Sequence, residues 1–286
     1  MAPRAKRELR KTCGLLLAAL ITVAAPPDPS RADEVLQIAG STTLQPLAER
    51  LSRGYRKGQP DAVLRVTGGG SARGLAALIA GEVEIAASSR FISPEELALA
   101  RQRGVYPVPF RVAYDCIIPV VHTGNRLRGL TLQQLRDIYS GRLDNWRQLG
   151  GADLPIRLVS RESDSGTRAT WQNLVMGAAS ESRELLEQAS NLEVVRAVAR
   201  EPGAIGYIGL GYLSASIRPL TVDGVMGSLR SAREGSYPLS RSLYFFTDGW
   251  PDGRSLEFID FALDPDGGQR SVVKSGFVPL YSHERH

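Results

Sequence analysis

Histidine and cysteine are scarce in this 286-residue chain, with three of the former and two of the latter. His122 stands alone and His283 and His286 close the chain, so there is no metal-ligand spacing and no imidazole partner for a serine nucleophile. No metal, no other cofactor and no catalytic residue is therefore expected. Cys13 falls in an N-terminal segment that reads as a leader, which leaves Cys116 without a partner for an intramolecular disulfide. Long apolar runs are also missing. The stretch from Cys13 to Ala25 has 13 residues, against about 20 for a membrane-spanning helix.

The basic balance is localised. The formal charge is +5, but residues 1–32 carry six Lys or Arg against two acids, so beyond them it falls to about +1. What remains is arginine and acid intermingled, a solvated surface and not the basic face that nucleic acid requires. Arg4, Lys6, Arg7, Arg10 and Lys11, then the short apolar run, then Ser30-Arg31-Ala32 read as a secretory signal peptide spanning 1–32. Cys13 precedes the apolar run, so no lipoprotein anchor is expected. The reading is a free, exported protein in a periplasm, not inserted in the membrane once the signal is removed, and a monomer.

Beyond the leader the pattern alternates short apolar strands with amphipathic helices, which argues for parallel β-α-β units with ligands bound beyond the carboxyl ends of the strands. Expected strands lie at 35–39, 63–67, 83–87, 156–160, 204–208 and 238–247, and expected helices at 44–55, 75–80, 131–141, 169–176, 191–200, 255–263 and 269–275. Tyr106 to Val121 is a long apolar stretch interrupted by Asp115, read as two strand pieces passing through a crossover. The chain returns near Tyr237. These two crossovers divide the mature chain into lobe one, 33–114 plus 240–286, and lobe two, 115–239. Trp146 and Trp171 read as core aromatics.

Three strand–helix junctions carry hydroxyl and glycine residues: Gly40-Ser41-Thr42-Thr43, Gly68-Gly69-Gly70-Ser71, and Ser165-Gly166-Thr167 with Arg161 four residues upstream. A single Ser-Gly-Thr at a helix start is most often a plain N-cap. Three such starts suggest one anion seat, since helix N-termini present unpaired amides and a partial positive charge, and hydroxyls and a guanidinium add donors.

Several strings then carry a resemblance over the whole mature chain: Ala39-Gly40-Ser41-Thr42-Thr43-Leu44-Gln45-Pro46, the turn at 68–71, Leu130-Thr131 with Ile138-Tyr139-Ser140-Gly141 and Asn145-Trp146, Arg161 with 165–167, Gly203 to Tyr207, and Gly276-Phe277-Val278-Pro279-Leu280. The chain resembles the extracytoplasmic phosphate-binding protein of ABC importers, in the type II periplasmic binding protein family. The resemblance implies a two-lobed α/β fold, each lobe a mostly parallel sheet flanked by helices with two hinge crossovers. It also implies inorganic phosphate held between the lobes and delivered to the importer's permease subunits. Its phosphate contacts fall on Ser41, Thr42, Ser71, Arg161, Ser165, Gly166 and Thr167, and Ser89 stands where much of the family places an aspartate that accepts the ligand's proton. Asp164 or Asp115 is the expected substitute.

Alternatives stay open at this stage. Arg90 reads as an anion neighbour or as a partner of Glu95 or Glu96, with the first favoured. Arg168 reads as a loop anchor, and Arg73 as a source of positive potential for the cleft. Sulfate, arsenate or molybdate could replace phosphate as cargo. A secreted phosphatase-like enzyme is the further alternative, opposed by the lack of a general base beside Ser41, Ser71 or Ser165.

Overall fold

The computed structural model describes residues 35–281. The expected signal peptide lies outside them. The chain begins with three strand-to-helix units: β1 (Leu36–Gly40) and α1 (Gln45–Tyr55), β2 (Leu64–Thr67) and α2 (Ser71–Ile79), β3 (Ile85–Ser88) and α3 (Pro94–Gln102). α1 forms because Leu47, Leu51 and Tyr55 recur at the four-residue spacing of one helix face, and all three are buried. α3 starts on a capping box between Ser93 and Glu96, with Pro94 at a position that needs no amide.

The longest strand, β4 (Pro107–His122), comes next, followed by β5 (Gly129–Leu130), α4 (Leu132–Tyr139) and β6 (Arg157–Arg161). α5 (Gly166–Trp171) runs into one π-helical turn at Gln172–Met176, and β7 (Leu185–Gln188), α6 (Asn191–Arg200) and β8 (Ala204–Gly209) follow. The short elements β9 (Ile217–Pro219), β10 (Thr221–Val222) and α7 (Leu229–Arg233) lead to β11 (Ser240–Asp248), then α8 (Gly253–Leu263) and α9 (Gly268–Lys274). Among the described residues no helix is long and apolar enough to cross a membrane.

Hydrogen bonding follows the path β2-β1-β3-β11-β4-β8-β6-β7, with β9 beside β4. β2, β1 and β3 are parallel at one end and β8, β6 and β7 at the other. The two sets are joined by the antiparallel pair β11 and β4. Buried apolar residues divide accordingly. One core runs from Leu36 to Ala113 and resumes from Leu243 to Phe277, and the other lies wholly between Cys116 and Leu239. The result is a two-lobed mixed α/β fold.

The passage between lobes differs from the sequence expectation. β4 is one unbroken strand of 16 residues, paired with β11 from Pro107 to Cys116 and with β8 from Ile117 to Val121. Asp115 does not interrupt it, because its carboxylate is met by Arg241, its cross-strand partner on β11. Two helix starts also move. α2 begins at Ser71 and not Leu75, and α5 at Gly166 and not Ala169, since the hydroxyl-bearing turns themselves form the first helical turn.

Candidate functional site

The three turns converge where the lobes meet. After β1, the Ser41 hydroxyl accepts from the amides of Thr43 and Leu44 at 3.2 and 3.4 Å, which stiffens its own turn and leaves its O–H free to donate. Ser165 does the same for α5, accepting from Thr167 and Arg168. Ser71 Oγ accepts from the Ser89 amide at 3.0 Å, and the two hydroxyls lie 3.3 Å apart. Gly166 packs against this pair so closely that a Cβ there would meet Ser71 Oγ at 2.3 Å and Ser89 Oγ at 2.7 Å. Gly70 plays the reciprocal part on the first lobe. It has φ +109°, and a Cβ would meet the Asp164 carbonyl oxygen at 2.6 Å.

Hydrogen bonds cross directly between lobes at the centre of the cluster. Arg161 Nη2 donates to Thr42 Oγ1 at 2.9 Å and to the Ala189 carbonyl at 2.8 Å, and Nε donates to the Gln188 carbonyl. Thr43 Oγ1 lies 3.0 Å from Thr167 Oγ1 and accepts from Asn191 Nδ2 at 3.0 Å, and the Tyr212 hydroxyl donates to the Thr42 carbonyl at 2.7 Å. All eight residues singled out in the sequence (Ser41, Thr42, Ser71, Ser89, Arg161, Ser165, Gly166 and Thr167) stand in these turns or touch them.

Arg161 is the electrostatic centre. It is 1% exposed, Nη1 is buried with no hydrogen-bond partner, and no described carboxylate forms an ion pair with it. Burial, with a contribution from the nearby Arg241 charge, pulls the guanidinium down to about 10, so it remains cationic at neutral pH. A buried cation bonded only to neutral oxygens and one unused donor is a receptor for an anion. Arg168 stands behind it: Nη1 donates to the Arg161 carbonyl at 2.8 Å, and the guanidinium is held by Glu181 and Glu187.

Arg241 is the residue that sequence reasoning missed. It pairs with Asp115 through Oδ2, while Nη1 reaches Thr167 Oγ1 at 3.0 Å. The signal was available, since Leu239, Arg241, Leu243 and Phe245 occupy the core-facing register of one alternating strand. Three expectations change. Arg90 forms a two-pronged pair with Glu96, which removes it from the anion site. Arg73 pairs with Asp164 between the lobes, and both are partly exposed. That pair engages Oδ2 of Asp164, while each oxygen of Asp115 is engaged, Oδ1 by the Leu210 amide and Oδ2 by Arg241. Among the described residues no group of His, Cys, Asp and Glu could hold a metal ion.

A two-lobed α/β fold with an anion-seeking cluster between its lobes is the arrangement of a solute-binding protein, and comparison with known proteins gives its place. A family model described as a PBP superfamily domain matches residues 24–266. The phosphate-binding protein PstS of Bacillus subtilis is 31% identical over 251 residues, covering 87% of this chain and 82% of that protein. A phosphate ABC transporter substrate-binding protein from Clostridium perfringens, solved with bound phosphate, superposes with a TM-score of 0.80 at 31% identity over 87% of this chain and 100% of that one. A phosphate transport receptor from Vibrio cholerae gives 0.71 at 27% identity over 85% and 99%. The chain belongs to the PBP superfamily and, within it, to the family of the PstS phosphate-binding proteins.

Proposed function

We propose that this protein binds inorganic phosphate between its lobes and delivers it to the membrane subunits of an ABC importer. The observation that carries the reading is Arg161, a buried guanidinium with an unused Nη1 and no carboxylate partner among the described residues. Ser41, Thr42, Ser71 and Ser89 on the first lobe and Arg161, Ser165, Gly166 and Thr167 on the second supply donors from both sides. A ligand held by both lobes stabilises the closed form by the contacts that the open form lacks, and so shifts the population toward closure. Charge-assisted hydrogen bonds of about 1.5–3 kcal/mol each must outweigh about 4–15 kcal/mol of lost freedom, so several are needed. The lobe boundaries at 114/115 and 239/240 follow from the same reading.

The reading is of a carrier and not an enzyme, supported by the lack of a general base beside the serines of the cluster among the described residues. Export by its N-terminal segment, a periplasmic location and a monomeric state complete the proposal. A second reading, binding of sulfate, arsenate or molybdate, is favoured by one observation: both oxygens of the buried Asp115 are already engaged, so that carboxylate has none to spare for a ligand proton.

Calorimetry of the refolded, ligand-stripped protein tests both. Tight phosphate binding with no heat from sulfate supports the phosphate reading, and equal binding of both moves the assignment to a general oxyanion carrier. Turnover of a chromogenic phosphate ester by the pure protein would overturn the carrier assignment.

A further inference from the structure

Arg241 and Asp115 are register partners on β11 and β4, at the point where both strands pass from one core to the other. Asp115 is 0% exposed and Arg241 7%. Nε and Nη2 of Arg241 close on Oδ2 at 3.0 and 2.7 Å, which turns Nη1 away from the carboxylate. Nη1 then meets Thr167 Oγ1 at 3.0 Å and the Ser89 carbonyl at 3.4 Å, and Nη2 lies 3.5 Å from Thr43 Oγ1. One side chain therefore reaches the turn after β1, the turn after β3 and the first turn of α5. No other described guanidinium touches all three.

A buried ion pair is a poor stabiliser, because desolvation of both charges cancels most of their attraction. Packing alone would be served as well by an apolar pair at this crossing. What the pair supplies is a rigidly aimed planar donor, with its carboxylate fixed from the far side by the Leu210 amide at 2.9 Å. Together with Arg161 the cluster holds two guanidinia against one buried carboxylate, an excess of one positive charge.

We infer that Arg241 is a second guanidinium of the anion site, aimed by Asp115, and that tight binding of a tetrahedral oxyanion requires Arg161 and Arg241 together. The inference rests on the oxyanion reading above. Asp115 acts through Arg241 and is a positioning residue, not a proton acceptor for the ligand.

The test is calorimetry of ligand-stripped wild type, R241Q, R241K, D115N, the double variant D115N/R241Q and R90Q with phosphate, sulfate and arsenate, alongside ligand-free melting temperatures. Loss of a charge-assisted hydrogen bond corresponds to about ten- to a hundredfold in affinity, and a loss toward the upper end of that range is expected in R241Q. The double variant removes the charge without stranding Asp115, so it is expected to stay as weak as R241Q. R241K keeps the ion pair and the fold but offers one compact ammonium for two tasks, and about a tenfold loss is expected. D115N weakens binding when Arg241 is present and changes nothing in the R241Q background. R90Q binds like wild type. Wild-type affinity in the double variant or in R241K overturns the inference and leaves the phosphate reading intact. If wild type binds only sulfate or arsenate and R241Q loses that anion, the inference holds and the phosphate reading falls. If wild type binds none of the three, both fall.

Discussion

Arg161 donates from Nη2 to Thr42 Oγ1, 2.9 Å away on the opposite lobe, while Nη1 of the same guanidinium is buried and unpartnered. One half of the group thus holds the lobes together and the other half is reserved. Arg161→Gln is expected to lower phosphate affinity by at least about a hundredfold, the equivalent of two charge-assisted bonds or one strong one. The melting temperature without ligand should fall little, because relief of a buried uncompensated charge offsets the lost bonds to Gln188 and Ala189. Calorimetry and thermal denaturation, with and without phosphate, check the two halves of this statement separately.

Gly166→Ala separates closure from stability. The added methyl would come within 2.3 Å of Ser71 Oγ and 2.7 Å of Ser89 Oγ, so the lobes cannot meet as they do. Alanine is also the better helix former by roughly 1 kcal/mol. The expected variant is therefore at least as stable as wild type without ligand and about tenfold or more weaker for phosphate. Reduced ligand-free stability with unchanged affinity would contradict it.

Asp164→Asn removes the exposed pair with Arg73, whose side chains are 65% and 33% accessible. Exposed pairs contribute about 0–1 kcal/mol, so a change of a few-fold at most in affinity is expected. The ratio of phosphate to sulfate binding should not move, since Asp164 is paired with Arg73 at a partly exposed edge of the turns. Titration of the variant with both anions measures this directly.

Trp171 stacks on Tyr207 at 4.2 Å with the rings 6° from parallel, and Tyr207 bonds to Ser160 one residue before Arg161. Trp171→Ala is expected to cost about 3–5 kcal/mol of unfolding free energy, read from urea denaturation. Phosphate affinity should drop as well, because α5 loses its support.

The Cys116 thiol is pushed up to about 12 by burial, the largest cause, and by the adjacent Asp115 charge. Thiolate is the reactive form, so at pH 8 the native protein should resist iodoacetamide. Labelling should follow the rate of unfolding, which mass spectrometry at increasing denaturant would reveal. Rapid native-state alkylation would mean that the crossing strands open locally.

The helices that position the site were legible because caps and four-residue apolar spacing are local signals. α6 begins and ends at Asn191 and Arg200, where Ser190 and Pro202 mark its limits. The turns at 40–43, 68–71 and 165–167 were legible for the same reason. β7 was not, since Leu-Leu-Glu-Gln on a sheet edge shows neither alternation nor a continuous apolar run. The fate of charged groups was least legible. Arg90 has an anion turn beside it and an acid six residues away, and only three-dimensional placement shows that Glu96 takes it. Asp115 looked like an interruption of an apolar stretch and Arg241 drew no reading at all, because their meaning depends on a pairing across 126 residues.

The unbroken passage of β4 through both cores has a mechanical consequence. Two slack linkers would let the lobes swing freely, but a ribbon hydrogen-bonded from Pro107 to Cys116 on one strand and from Ser240 to Asp248 on the other behaves as a leaf spring. Its one irregularity, the register shift between Leu243 and Tyr244, is the compliant point, two residues from Arg241. A bend at that point would tilt the Arg241 guanidinium along with the lobes, so the ribbon ties the aim of that donor to any closure of the lobes.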